Sequence, residues 1–170
     1  MPGSAPLFRV LFVCTGNTCR SPLAEVALKR ALGESARRIE VRSAGVAARD
    51  GAPASAPARA LARREGLDLE GHQSRRLTAI TLAGQDLVLL MDPGDRALVE
   101  ELDADGEVEI FALADFGRAA PTGEAIPDPF GGSPEGYEDC LRRIEEHLTR
   151  VVPYIQAELR EREVGARKPS

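Results

Sequence analysis

The chain has 170 residues, 43% hydrophobic and 29% charged, with a net charge of −5. That is the balance of a soluble globular protein with a substantial core, and the acidic excess argues against nucleic acid or anionic membrane as a partner. No apolar run approaches the roughly 20 residues that span a bilayer. Three cysteines (Cys14, Cys19, Cys140) and two histidines provide neither a disulfide framework nor a metal-ligand spacing, so no metal site is expected.

Residues 1–7 lack the apolar core of a signal peptide and read as a loose tail, with a cytoplasmic location as the expectation. The short apolar run over 8–13 predicts a buried strand ending at Cys14. A loop of the form Cys, five residues, Arg follows. A helix is predicted over 22–32, with Pro22 in its first turn, Leu23, Val26, Ala27 and Ala31 on its apolar face, and Gly33 at its end. Ile39–Ser43 predicts a second strand. Residues 46–56, rich in Ala, Gly and Pro, predict a loop, and a helix follows from Pro57 to Glu65 with Ala60 and Leu61 on its apolar side. Arg75 and Arg76 either line an approach for an anionic substrate or form a solvated face.

Thr78 is positioned to cap a short helix to Ala83. Asp86–Met91 predicts a third strand buried on both faces, 93–102 a helix, and 108–113 a fourth strand. Residues 114–136 form a long Pro- and Gly-rich loop, which in a compact protein is functional or disordered. Ser133 and Pro134 open the last helix, Pro153 interrupts its pattern, and 161–170 read as a disordered tail. Strands alternating with helices predict an α/β three-layer sandwich: a central four-stranded parallel sheet with helices on both faces, over a single domain at 8–160. Ligands of such sheets sit at the carboxyl ends of the strands, where Cys14 falls.

The stretch Cys14-Thr15-Gly16-Asn17-Thr18-Cys19-Arg20-Ser21-Pro22 carries the chemistry. Loop amides beside a helix N-terminus favour an anion. Arg20 can grip two phosphate oxygens, and the same positive field favours the Cys14 thiolate. Ser21 can donate to the sulfur, while Gly16 and Asn17 tolerate unusual backbone angles. The plainer reading is a buried cysteine beside a structural arginine.

These residues resemble the signature of the low-molecular-weight protein tyrosine phosphatases, and most closely the branch acting on phosphoarginine in proteins. Val41–Gly45, Asp86–Asp92 and Asp128-Pro129-Phe130-Gly131-Gly132 extend the resemblance over most of the chain. It implies catalysis by Cys14, Arg20 and Asp128 through a cysteinyl-phosphate, without a cofactor. Asp128, proton-bearing beside a bound phosphate, would serve as acid and then as base. Thr15, Gly16, Asn17, Thr18, Cys19, Ser21 and Phe130 are implied substrate contacts. Ser43 would support the phosphate loop by hydrogen bonding, with His72 and Asp92 as further supporting residues. Tyrosine-specific relatives usually carry an aliphatic residue at Thr18 and often a tyrosine at Phe130, so phosphoarginine is expected, with phosphotyrosine as the alternative.

The implied partners are phosphorylated proteins and a kinase that phosphorylates arginine, with a monomer as the default state. Two other readings stand beside this one: a three-cysteine arsenate reductase, for which the chain lacks the cysteine pair near residues 80–95, and a non-catalytic phosphate-binding module. Cys19 is either a redox partner that protects Cys14 or an inert thiol.

Overall fold

A computed structural model of the chain describes residues 8–166, with side chains to 165. Four strands, β1 (Phe8–Cys14), β2 (Ile39–Gly45), β3 (Leu87–Leu90) and β4 (Glu109–Ala112), form one parallel sheet in the order β2-β1-β3-β4. Alternation along β1 explains the layers. Phe8, Val10, Phe12 and Cys14 face one core with α1 (Arg20–Leu32), α2 (Ala56–Arg64) and α5 (Pro134–Ala166). Leu11 and Val13 face the other, with Leu82 of α3 (Ala79–Leu82) and Val99 of α4 (Arg96–Leu102). The α/β three-layer arrangement is the expected one.

The boundaries differ in instructive ways. Helix α1 begins at Arg20, so Pro22 lies at its third residue. It still costs nothing there, because the first four N–H groups of a helix have no internal acceptor. The buried face of α1 is Leu23, Ala24, Ala27, Leu28 and Leu32; Ala31 is exposed and Val26 only half-buried. Ala60 is likewise exposed, and Ala58, Leu61 and Ala62 form the inner side of α2, which begins earlier than expected because Ser55 accepts the Ala58 amide as its cap. Thr78 caps α3 and Thr81 returns the bond. Pro93–Asp95 is a 3₁₀ turn rather than the start of α4.

Helix α5 runs through Pro153 and on to Ala166, so 161–166, expected to be disordered, is helical. The remainder of that tail and the expected tail at 1–7 lie outside the described residues. Among the described residues no helix is long and apolar enough to cross a membrane.

The chain leaves β1 for β2 on one side and then returns to β3 on the other. That reversal opens a crevice at the carboxyl end of β1, the place where open parallel sheets bind ligands.

Candidate active site

Cys14 is the last residue of β1 and Arg20 the first of α1, so the loop 15–19 must turn within five residues. It does so through Asn17, the one non-glycine residue among those described with positive φ (56°). Asparagine visits this region more readily than most residues, and here its side chain is fully used. Asn17 is completely buried. Its Oδ1 accepts the Arg75 amide at 2.9 Å and its Nδ2 donates to Ser21 Oγ at 2.8 Å. Its backbone carbonyl accepts from His72 Nε2 at 2.8 Å, which fixes the proton of the imidazole on Nε2.

The loop also rests on the turn that ends β2. Val46 and Ala47 donate to the carbonyls of Cys14 and Thr15, both at 2.9 Å. Gly45 makes this approach possible. A Cβ there would fall 2.5 Å from the Thr15 carbonyl and 2.9 Å from the Asn17 nitrogen.

Cys14 Sγ lies 2.9 Å from Ser21 Oγ and accepts the Asn17 amide at 3.3 Å. Because Ser21 Oγ already accepts from Asn17, its own proton is free for the sulfur, which is nearer than the alternative Ala44 carbonyl at 3.5 Å. Burial pushes the Cys14 thiol up. The Ser21 hydroxyl, the Ser21 and Asn17 amides and the Arg20 charge pull it down without fully offsetting that. Desolvation thus opposes the positive surroundings expected to favour the thiolate, and those donors are what limit the rise.

Arg20 is 5% exposed. Its Nη1 donates to the Ile126 carbonyl at 3.0 Å, and its Nη2 faces Thr15 Oγ1 at 3.2 Å and Asp128 Oδ2 at 3.5 Å. Asp128 Oδ1 in turn accepts the Phe130 amide at 3.1 Å. Residues 14–20 with Asp128 and Phe130 line a cavity of about 220 Å³. Cys14, Arg20 and Asp128, dispersed over more than a hundred positions, thus meet at one opening, with the Phe130 ring 70% exposed at its rim.

Three expected residues, Ser21, Ser43 and Asp92, do not line the cavity. Ser21 contributes no surface to the cavity, and its hydroxyl faces the sulfur as expected. Ser43 makes no bond to the phosphate loop. It has the parity of Ile39 and Val41, faces α1, and donates to Glu25 Oε2 at 2.7 Å. Asp92 Oδ1 accepts the Gly94 amide at 2.8 Å and caps the 3₁₀ turn.

Ile126, Asp95 and the partners of Cys19 carried no sequence signal. Ile126 anchors the Asp128 loop by donating to the Met91 carbonyl at 2.8 Å while its own carbonyl holds Arg20. Asp95 has a buried, unpartnered Oδ2; burial and the neighbouring Asp92 push its carboxyl up, opposed by Arg20. Cys19 Sγ faces Ser55 Oγ at 3.1 Å and the Tyr137 hydroxyl at 3.6 Å.

The chain is similar to known proteins. A protein-arginine-phosphatase of Geobacillus stearothermophilus is 34% identical over 89% of this chain and 98% of its own. The low molecular weight protein-tyrosine-phosphatase Etp of Escherichia coli K12 is 36% identical over 80% of this chain and 86% of its own. The solved structure of a serine-for-cysteine mutant of the YwlE arginine phosphatase, with a phosphorylated active-site serine, superposes with a TM-score of 0.79 at 30% identity, covering 88% of this chain and 96% of that one. The family model for low molecular weight phosphotyrosine protein phosphatase matches residues 9–163, and the chain belongs to that family.

Proposed function

We propose that the chain hydrolyses phosphoarginine in proteins by double displacement. The Cys14 thiolate attacks phosphorus in line, the P–N bond breaks, and Asp128 gives its proton to the leaving guanidino nitrogen. Arg20 and the loop amides carry the charge of the equatorial oxygens. Asp128, now a base, takes a proton from water; that water attacks the thiophosphate, the P–S bond breaks, and phosphate leaves with the thiolate restored. The Ser21 hydroxyl, directed at the sulfur, supports the thiolate both as nucleophile and as leaving group. The phosphorylated serine of the YwlE mutant occupies the nucleophile's place in that protein and supports the covalent step.

The observation that carries arginine over tyrosine is Thr18 on the cavity wall. Its hydroxyl has only a distant sulfur neighbour, Cys19 at 3.9 Å, and is available to a substrate nitrogen or to the attacking water. The exposed Phe130 ring offers a flat face to a guanidinium. It would serve a phenyl ring too, and Etp is a tyrosine phosphatase, so phosphotyrosine is the second reading. On the first reading, a kinase that phosphorylates arginine supplies the substrates. The three free thiols suit a reducing compartment, and the reading places the enzyme in the cytoplasm.

The test is phosphate release from a phosphoarginine and a phosphotyrosine peptide in parallel, with Cys14→Ser as control. Preference for phosphoarginine, shifted toward phosphotyrosine by Thr18→Ile, is the expected result. Preference for phosphotyrosine overturns the role of Thr18, and turnover that survives Cys14→Ser overturns the covalent mechanism.

A further inference from the structure

A large cavity lies beside the edge strand β4, away from the Cys14 opening. It holds about 680 Å³, against about 220 Å³ over the phosphate loop. Phe111, Phe116 and Tyr154 give it aromatic walls. The Phe111 and Phe116 centroids are 5.2 Å apart and those of Phe116 and Tyr154 5.3 Å, both edge to face. Phe111 remains 38% exposed. Apolar clefts of this size with a few polar groups are where small molecules bind.

The polar groups of the cavity are unequal in their state of pairing. Glu109 accepts the Tyr154 hydroxyl. Asp115 accepts the Thr122 and Gly123 amides and the Thr122 hydroxyl. Arg96 is paired with Glu100. Arg118 and Arg150, by contrast, meet only neutral acceptors. Arg118 Nε donates to the Ala114 carbonyl at 2.8 Å, and Arg150 donates to the carbonyls of Phe116 and Ala114 and to His147 Nδ1. Among the described residues neither has a carboxylate within ion-pair distance. Their charge is felt nearby: Asp115, raised by burial but held below the ordinary carboxylate range by its Thr122 and Gly123 bonds, is lowered further by Arg118, and burial first, then Arg150 and Arg118, hold His147 below the ordinary histidine range.

We propose that this cavity binds a small aromatic anion, its ring against Phe111 and Phe116 and its carboxylate or sulfonate on Arg118 and Arg150. A planar guanidinium receives such a group by two parallel hydrogen bonds, and the aromatic walls supply the apolar contact. The site is separate from the phosphate loop and shares no residue with it.

The full chain is titrated with 2-naphthoate by calorimetry, in enough inorganic phosphate to fill the phosphate loop, and in parallel with the neutral 2-naphthamide. Saturable binding of naphthoate is expected, about tenfold weaker for naphthamide and for Arg118→Gln, as the loss of one charge-assisted hydrogen bond implies. Phe111→Ala should weaken both ligands. Arg118 is exposed, so its variant stands even where Phe111→Ala fails to fold, and retained phosphatase turnover reports that each variant is intact. Equal affinity for the two ligands, unchanged binding by Arg118→Gln, or no saturable binding overturns the proposal. So does naphthoate binding that inorganic phosphate abolishes, which would place the anion in the phosphate loop.

Discussion

The backbone amide of Arg75 donates to Oδ1 of Asn17 at 2.9 Å, across 58 positions of sequence. Together with the Asn17–Ser21 bond, this holds the left-handed turn of the phosphate loop from both sides of one buried side chain. Asn17→Ala keeps the positive φ and removes both bonds. It should destabilise the protein by about 1–3 kcal/mol, the cost of leaving a buried donor unpaired at a strained angle. The Cys14-dependent rate should fall as well, because Ser21 loses the bond that orients its proton. Urea denaturation and single-turnover kinetics on one sample check both; a variant of normal rate would show that Ser21 is oriented by other means.

Gly45 is the second support. A methyl group there meets the Thr15 carbonyl at 2.5 Å, a backbone atom that cannot rotate away. Gly45→Ala must displace the phosphate loop or β2. A displacement of about 1 Å at a reacting centre costs on the order of a hundredfold in rate. The expected outcome is a folded protein with a rate reduced to that extent and weakened protection by inorganic phosphate. Wild-type kinetics would mean that the turn yields more easily than its contacts imply.

Ser43 separates what resemblance implies from what the structure places. Its hydroxyl donates to Glu25, which also accepts Lys29 Nζ at 2.7 Å. Ser43→Ala should cost about 1 kcal/mol of stability, a typical net hydrogen bond, with little change in turnover. A large fall in kcat at unchanged stability would restore the loop-supporting role.

The strand, loop and helix around Cys14 were legible because their signals are local: an apolar run, a fixed Cys-to-Arg spacing and a proline in a first turn. The parallel sheet covered on both faces followed from alternation of strands and helices. The partners of the site residues were not legible. Arg20 leans on the carbonyl of Ile126, Cys19 on Tyr137 and Asn17 on the amide of Arg75, at separations of 106, 118 and 58 residues. Backbone partners leave no trace in residue type. Ala31 and Ala60 were misplaced because alanine's small apolar surface makes it equally at home on either face of a helix. The loop's charge around Cys14 is visible in sequence, whereas the depth of burial that opposes it emerges only from packing.

Cys140 offers a test of that same burial away from the chemistry. It is 2% exposed on α5, and desolvation pushes its thiol from the ordinary 9.0 up to about 12, partly offset by Arg20. Below pH 9.0 both folded and unfolded chains keep the proton, and the contribution to stability is fully present. As pH rises from there toward about 12, the unfolded chain releases a proton that the fold retains, so stability falls. One such group contributes a slope of at most about 1.4 kcal/mol per pH unit. Cys140→Ala should lower stability at neutral pH by leaving a small cavity, yet lose less with each further unit of pH than the wild type. Urea midpoints measured from neutral to alkaline pH for both proteins give the two slopes. Cys14 and Tyr154 also release protons late, and they contribute equally to both proteins, so the difference in slope isolates Cys140. Parallel slopes would mean that the α5 thiol is reached by water in the folded state.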